Sequence, residues 1–121
     1  MQISGESLCI LETEPKKEAG SLPAYLESDM IVFASPLYYF APTAQLEAAM
    51  QRVYCIGKPA KATKAALLLS AAAGPYDAAI AQYKIYTGYT GLQDMGICTA
   101  TGAENKSEEK LAEIKAFAEK L

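Results

Sequence analysis

Three short runs of consecutive apolar residues constrain the fold of this chain of 121 residues more than any other feature. They occupy residues 30–34, 65–69 and 95–100, and each is followed by a turn of small or hydroxyl-bearing residues and then by a helical pattern. Continuous apolar runs are typical of strands that are buried on both faces of a parallel sheet. Strands that alternate with helices therefore predict a three-layer α/β fold with parallel pairing and right-handed crossovers.

Apolar residues at helical spacing predict four helices around these strands. The helices are expected at residues 22–27, at 43–56, from 74–75 to near 88, and at 107–121. Ser107 is expected to cap the last helix, with Glu108 and Glu109 in its first turn. The segment 8–11 is predicted to be a loop. Residues 1–121 are expected to form a single domain.

The composition excludes several classes of function. The chain has no histidine, which excludes Ser-His-Asp and Cys-His catalysis and every zinc site that uses histidine. A formal net charge of −3 argues against nucleic acid as a partner. No apolar run approaches the roughly 20 residues that span a bilayer, so no membrane partner is expected. The first six residues have neither the basic nor the apolar segment of a signal peptide.

The three cysteines, Cys9, Cys55 and Cys98, are each more than forty residues from the next. This spacing is typical neither of metal ligands nor of the disulfide framework of a secreted protein. We therefore expect no metal site, and we expect buried, reduced thiols in a cytoplasmic protein.

Open parallel sheets bind ligands at the carboxyl ends of their strands, and the first loop predicted there spans residues 35–42. It carries Tyr38, Tyr39 and Phe40 between Pro36 and Pro42. Rigid, exposed aromatic rings beside free backbone amides suit a flat heteroaromatic ligand. The alternative is a stiff connection whose rings pack onto the core and a helix. We expect at least one of the three rings to be substantially exposed.

Two further loops are predicted at the same edge of the sheet. The side chains of residues 70–76 are small enough for a ligand to approach the backbone closely, although a tight turn prefers the same residues. Residues 101–105 lead to the helix cap at Ser107, where the neighbouring Glu104 and Glu108 would repel an anion. No phosphate-loop motif is present in the sequence.

The segment ESDMIVFASPLYYFAPTAQLEAAMQR, residues 27–52, resembles the central block of the flavodoxin-like NAD(P)H-dependent FMN reductases. It is most similar to the branch that includes the iron–sulfur flavoproteins. That block has an Asp after a helix, an apolar strand, a Ser-Pro-x-Tyr loop, and a helix that ends in Asp-Arg. Asp29, the strand at 31–34, the Ser-Pro-Leu-Tyr run at 35–38 and Arg52 match it, and the resemblance extends over residues 9–121.

The resemblance implies an FMN site between the first two loops and NAD(P)H as co-substrate. In the family the flavin carries the chemistry, so no catalytic side chain is implied. The residues that match the family's FMN-contacting loops are Ser35, Pro36, Leu37, Tyr38, Tyr39, Phe40, Ser70, Ala71, Ala72, Gly74 and Tyr76.

The sequence also departs from the family pattern. Members of the family begin with a strand, a phosphate-gripping loop, a helix and a second strand, none of which is found in this sequence, and Met1 aligns near the end of that second strand. Phe40 stands where the family has a small residue, and Gln51 replaces the Asp before Arg52. Cys9 matches the last cysteine of the iron–sulfur branch without its companions, so no cluster is expected. Two hypotheses follow: an FMN-dependent NAD(P)H oxidoreductase, complete or recorded from an internal start, or a shortened, non-catalytic subunit that has lost its flavin.

Topology predicts the oligomeric state. In the flavodoxin-like strand order 2-1-3-4-5, the three predicted strands would be the last three, which makes residues 30–34 an unpaired edge. The helices after the first two strands cross one face, and only the last helix covers the other. We therefore expect a homo-oligomer, a two-fold dimer that covers this edge or the bare face near it. The alternative is that residues 1–11 fold back onto the edge.

Overall fold

The structure, a computed structural model, describes residues 2–3, 6–11 and 21–121. The strands are β1 (Gln2–Ile3), β2 (Glu6–Leu11), β3 (Met30–Tyr38), β4 (Ala41–Pro42), β5 (Lys64–Ala71) and β6 (Gln93–Thr101). The helices are α1 (Ser21–Glu27), α2 (Ala44–Arg52), α3 (Asp77–Thr90) and α4 (Glu108–Glu119), with a 3₁₀ turn at Gly102–Lys106 between β6 and α4. No helix in these ranges is long and apolar enough to cross a membrane.

The sheet confirms the predicted α/β architecture with parallel pairing. Strands β2, β3, β5 and β6 pair in parallel and lie side by side in chain order. The two short strands are antiparallel, β1 to β2 and β4 to β3. Because the strand order advances in one direction, right-handed crossovers place α1, α2 and α3 on one face of the sheet.

Two sequence predictions about the amino-terminal segment are wrong. Residues 8–11 belong to strand β2 rather than to a loop, and they pair in parallel with residues 30–33 of β3. Residues 30–34 are therefore not an unpaired edge, and the sheet has four parallel strands instead of about three. The physical reason is the one that favoured the alternative in which residues 1–11 fold back onto the edge. Strand β3 offers a row of backbone hydrogen-bonding groups, and a short apolar segment of the same chain satisfies them.

The observed carboxyl ends of α2 and α3 differ from the predicted ones, whereas the predicted cap of α4 is confirmed. Thr43 caps α2 through a side chain that accepts a hydrogen bond from the Leu46 amide, and α2 ends at Arg52, four residues before the predicted end. Helix α3 continues to Thr90 because Gly91, with φ 73°, supplies the left-handed residue that closes it. Ser107 caps α4 as predicted, since its side chain accepts a hydrogen bond from the Lys110 amide.

The core lies mainly on the face covered by α1, α2 and α3. Phe33 of β3 contacts the rings of Tyr83 and Tyr86 edge to face, at centroid distances of 5.8 and 5.2 Å. On the other face a smaller cluster of Met30, Val32 and Ala66 packs against side chains that include Phe117 of α4. One face of the sheet is thus closely covered, while α4 alone covers the other in the described part of the chain.

Candidate functional site

The predicted loop at residues 35–42 is a tight hairpin. Strand β3 continues through Tyr38 and pairs antiparallel with β4, with Leu37 opposite Pro42 and Tyr38 opposite Ala41. Tyr39 and Phe40 form the two-residue turn, with φ angles of 52° and 67°. Positive φ at both central positions is the geometry of type I′ hairpins, which normally use Asn-Gly. Two aromatic residues therefore occupy a backbone conformation that they rarely adopt.

This hairpin presents its three aromatic rings to solvent. Tyr38 is 69% exposed, Tyr39 is 97% exposed and Phe40 is 50% exposed. The prediction that at least one ring is substantially exposed is confirmed. The turn thus forms an aromatic surface at the carboxyl end of β3.

Ser35 and Leu37 hold the base of the hairpin. The buried Ser35 hydroxyl donates to the Pro36 carbonyl at 2.6 Å and accepts from the Thr43 amide at 3.0 Å. The Leu37 side chain is buried in the main core. Of the residues 35–40, these two are therefore placed to orient the aromatic turn rather than to offer their side chains to a ligand.

The second predicted loop leaves β5 beside the hairpin. Ala71 ends β5 and is buried, whereas residues 72–75 are exposed. Tyr76 is half-buried, and its hydroxyl donates to the Ala100 carbonyl at 2.8 Å and lies 2.7 Å from the Thr101 hydroxyl. Tyr76 therefore fixes this loop to the end of β6, a connection that the sequence pattern does not reveal because it joins residues 24 and 25 positions apart.

The third loop is built around helix capping, as predicted. The Glu104 carboxylate accepts a hydrogen bond from the Thr101 amide at 3.0 Å, which closes a capping box at the 3₁₀ turn. Lys110 lies 2.8 Å from the Glu113 carboxylate and 3.8 Å from that of Glu104, and its hydrogen bond to Glu113 raises the pKa of Lys110. The Asn105 side-chain amide donates to the Gly102 carbonyl at 2.9 Å and also reaches the Ala71 carbonyl at 3.4 Å. This loop thus uses its polar groups on itself and on β5.

Strand register brings the three loops to one edge of the sheet. Ser35 lies beside Leu69, and Leu69 lies beside Thr99; one residue further, Pro36 pairs with Ser70 and Ser70 with Ala100. The residues predicted from the first two loops are therefore neighbours in space.

The carboxyl edge of the sheet fits the isoalloxazine ring of FMN better than its phosphate. Exposed rings next to a loop of alanine and glycine suit a flat isoalloxazine ring. Among the described residues at this edge, the basic Lys106 and Lys110 lie beside the acidic Glu104, Glu108 and Glu109, and Lys110 is held by two carboxylates. The described residues thus fit the ring of FMN, whereas the acidic side chains beside Lys106 and Lys110 make this edge a poor site for its phosphate.

Tyr83 and Cys98 are titratable groups that are buried within the fold. The Tyr83 hydroxyl donates to Asp94 at 2.9 Å, and burial raises the pKa of Tyr83 well above its ordinary value. Burial also raises the pKa of Cys98, as does the nearby Glu113 carboxylate. Cys98 is a buried free thiol as expected, but Cys55 is exposed, and the Cys9 side chain lies outside the described residues. No group of acidic and cysteine side chains among the described residues could hold a metal ion.

Comparison with known proteins gives a family match over most of the chain. The family described as NADPH-dependent FMN reductase matches residues 7–115. The chain is 29% identical to FMN-dependent NADH:quinone oxidoreductase 1 of Pseudomonas putida, in an alignment that covers 85% of this chain and 59% of that protein. The chain thus spans less than two thirds of the length of that curated relative.

Solved structures show a likeness in fold. A flavodoxin described as WrbA-like from Agrobacterium tumefaciens matches with a TM-score of 0.57 and 15% identity, over 75% of this chain and 62% of that one. An NADPH-quinone reductase from P. pentosaceus matches with a TM-score of 0.58 and 12% identity, over 81% and 68% of the two chains. The fold is therefore flavodoxin-like.

Proposed function

The chain belongs to the NADPH-dependent FMN reductase family, and from that premise we propose that it acts as an FMN-dependent oxidoreductase that uses NAD(P)H. The observation that carries this proposal is the aromatic hairpin at the carboxyl edge of the sheet. Its strained turn leaves Tyr39 almost fully exposed and Phe40 half exposed, so packing of these two rings offsets little of the strain. Strain of this kind is typical of functional sites.

In this proposal Tyr38, Tyr39 and Phe40 provide the surface on which the isoalloxazine ring stacks. The small residues Ala72 and Gly74 allow the ring edge to approach the backbone of the second loop. Ser35 and Tyr76 do not contact the ring, but they fix the two loops on either side of it. When bound, FMN supplies the redox chemistry, since its ring takes up two electrons from a reduced nicotinamide and passes them to an acceptor.

We further propose that the protein is cytoplasmic and assembles with a second copy of itself. Free thiols at Cys55 and Cys98 are compatible with a reducing compartment. The large exposed side chains of Ile85 and Tyr89 on α3 support self-association.

The proposal is tested by titration of the purified protein with FMN, followed by flavin fluorescence, and by oxidation of NADH and NADPH with FMN present. Tyr38→Ala removes an exposed ring from the stacking surface and is expected to weaken FMN binding by about 1–2 kcal/mol, or about 5- to 30-fold. Tyr54→Ala is the matched control, because Tyr54 is equally exposed but lies after α2, away from this edge.

A specific observation favours one competing function, a non-catalytic subunit without flavin: at the described edge acidic side chains outnumber Lys106 and Lys110, whereas a phosphate needs basic partners. A protein that neither takes up FMN nor oxidises NAD(P)H would establish that alternative. Equal FMN affinity in the wild type and in Tyr38→Ala would place the ring elsewhere.

A further inference from the structure

Phe40 differs from the other two rings of the aromatic hairpin in how firmly it is held. Tyr39, its neighbour in the turn, is almost fully exposed and Tyr38 is largely exposed, whereas half of Phe40 is covered by the protein. A ring that is covered on one side has fewer rotamers open to it than a ring surrounded by solvent. Of the three rings, Phe40 therefore has the most restricted position, and it still offers a surface to a ligand.

The backbone at Phe40 has the conformation of a small residue. Its φ of 67° lies in the left-handed region, which glycine and asparagine adopt far more readily than phenylalanine. In the family that residues 27–52 resemble, a small residue stands at this position. The turn therefore keeps the backbone that a small residue would give it, and the phenyl ring is what this chain adds.

The turn that carries Phe40 lies beside the loop that leaves β5. Strands β3 and β5 are neighbours in the sheet, with Pro36 beside Ser70 at their carboxyl ends, so the two connections begin about 4.8 Å apart. Strand β4, which follows the turn, is also in contact with α3, the helix that begins after this loop. Phe40 is thus placed at one margin of the surface proposed for the isoalloxazine ring.

The opposite margin has smaller side chains. Residues 72–74 are Ala-Ala-Gly and are exposed, while Tyr76 is held at the end of β6, where its hydroxyl donates to the Ala100 carbonyl. A molecule that approaches a flavin bound at this edge therefore meets small side chains on one side and the phenyl ring of Phe40 on the other.

An electron acceptor must come close to the flavin ring. Reacting atoms have to lie about 3–3.5 Å apart, which for a planar flavin requires the acceptor to lie flat against it. A planar acceptor meets this condition and can also make favourable contacts with a neighbouring aromatic ring. Branched substituents extend above and below the plane of an acceptor, so a ring held at the margin of the site excludes them.

We propose that Phe40 determines acceptor specificity, because its ring forms a wall that admits planar conjugated carbonyl compounds to the flavin and excludes those with branched substituents. This inference rests on the proposed FMN-dependent activity and adds the substrate class. In the overall reaction NAD(P)H gives up a hydride and becomes NAD(P)⁺, and the acceptor takes up that hydride and one proton from the solvent. Phe40 takes no part in this transfer and acts only on which molecules can approach.

The test compares two quinones as probes, 2,5-dimethyl-1,4-benzoquinone and 2,5-di-tert-butyl-1,4-benzoquinone. Both carry an alkyl group on each side of the ring, so neither can turn an unsubstituted side towards Phe40, and they differ chiefly in bulk. The ratio of their kcat/KM values is measured with protein in excess over FMN, so that little flavin is free. All proteins carry Cys55→Ser, because quinones react with exposed thiols such as that of Cys55.

With Phe40 in place, the dimethyl quinone is expected to be favoured about tenfold or more, since a misfit of a few carbon atoms changes kcat/KM by at least that factor. Phe40→Gly removes the ring and suits a φ of 67°, so it is expected to fold and to bring the ratio close to one. Phe40→Tyr keeps the ring and is expected to keep the original ratio.

Tyr39→Gly is the matched control for Phe40→Gly. It also removes a ring from a position of positive φ in the same turn, but that ring is almost fully exposed and forms no fixed wall. It is expected to leave the ratio of the two quinones unaltered, even where both rates change. Circular dichroism checks that all variants remain folded.

Binding gives a second measurement that does not depend on turnover. The two quinones are titrated into the oxidised protein with FMN, without NAD(P)H, and the change in flavin absorption is followed. The di-tert-butyl quinone is expected to bind Phe40→Gly about tenfold more tightly than the protein with Phe40, whereas the dimethyl quinone is expected to bind both with similar affinity.

Equal kcat/KM values for the two quinones in the protein with Phe40 would overturn the inference, as would a ratio that Phe40→Gly leaves unchanged. An equal shift of the ratio in Tyr39→Gly would assign the effect to the turn as a whole and would also overturn it. A failure of the proposed function is distinct from these results. It would show as a protein that takes up no FMN or oxidises no NAD(P)H with either quinone, and it would contradict both proposals.

Discussion

Tyr39 and Phe40 occupy turn positions with positive φ, where Asn and Gly would make the protein more stable. Left-handed backbone costs an L-residue with a side chain about 1–2 kcal/mol relative to glycine. Tyr39 is almost fully exposed, so contacts of its ring within the described protein do not offset that cost. The turn therefore lowers the stability of the protein, and the proposed role of its rings in FMN binding accounts for this cost.

We expect replacement of Tyr39-Phe40 by Asn-Gly to raise the free energy of unfolding by about 1–2 kcal/mol, because Asn and Gly accept positive φ. Urea denaturation followed by circular dichroism measures the change. Tyr38→Asn is the control, since Tyr38 is exposed but lies in β3 outside the turn, and it is expected to give no gain. A less stable Asn-Gly variant would mean that the two rings stabilise the hairpin rather than strain it.

At the residue scale, the sequence predicted exposure better than role. The density of aromatic residues between two prolines correctly indicated exposed rings. It did not separate Tyr38 from Leu37, which alternates to the buried side of the same strand. Nor did it show that the Ser35 hydroxyl is used by Pro36 and Thr43, because such bonds depend on a hairpin that only the β3–β4 pairing creates.

At the scale of elements, apolar continuity identified β3, β5 and β6, and local caps identified the start of α4. Strand β2 was missed for a different reason. The apolar part of β2 is only four residues long and is followed by a charged stretch, so its local pattern is weak. What makes it a strand is its pairing with β3, a contact between residues about twenty positions apart that no local pattern contains.

Tyr76 joins the loop after β5 to the carboxyl end of β6 through the hydrogen bonds of its hydroxyl. Tyr76→Phe keeps the ring and removes both hydrogen bonds, which leaves the Ala100 carbonyl without this donor. We expect this variant to lower the free energy of unfolding by about 1 kcal/mol and, under the proposed function, to weaken FMN binding. Denaturation and FMN titration of the same sample measure the two effects.

The matched control for Tyr76→Phe is Tyr54→Phe. It also removes a tyrosine hydroxyl, but from an exposed side chain away from the site, so both quantities are expected to stay at wild-type values. Unchanged stability and unchanged affinity in Tyr76→Phe would show that the two loops hold their positions without the tyrosine.

At the scale of the whole molecule, the two faces of the sheet differ in how well they are covered. Helices α1, α2 and α3 contribute side chains to the main core, including Tyr25, Leu46 and Tyr83. Helix α4 has no buried residue and contacts the other face through half-buried side chains such as Phe117. Between α4 and the sheet lies a groove of about 590 Å³, lined by Leu68, Cys98 and Ile114 among others. Right-handed crossovers in one direction made this asymmetry predictable from the order of the strands.

This asymmetry predicts that α4 opens before the rest of the domain unfolds. Local stability follows buried apolar contact, and α4 has less of it than α3. We expect backbone amides of α4 to exchange with deuterium at least about tenfold faster than those in the middle of α3 and β5, a difference of about 1.4 kcal/mol in opening free energy. Phe117→Ala removes a side chain through which α4 packs against the cluster of Met30, Val32 and Ala66, and it is expected to speed exchange in α4 alone. Lys115→Ala, an exposed change in the same helix, is expected to leave it unaltered. If α4, α3 and β5 all exchanged at one common rate, the helix would open only with global unfolding, and its partial burial would be sufficient to hold it.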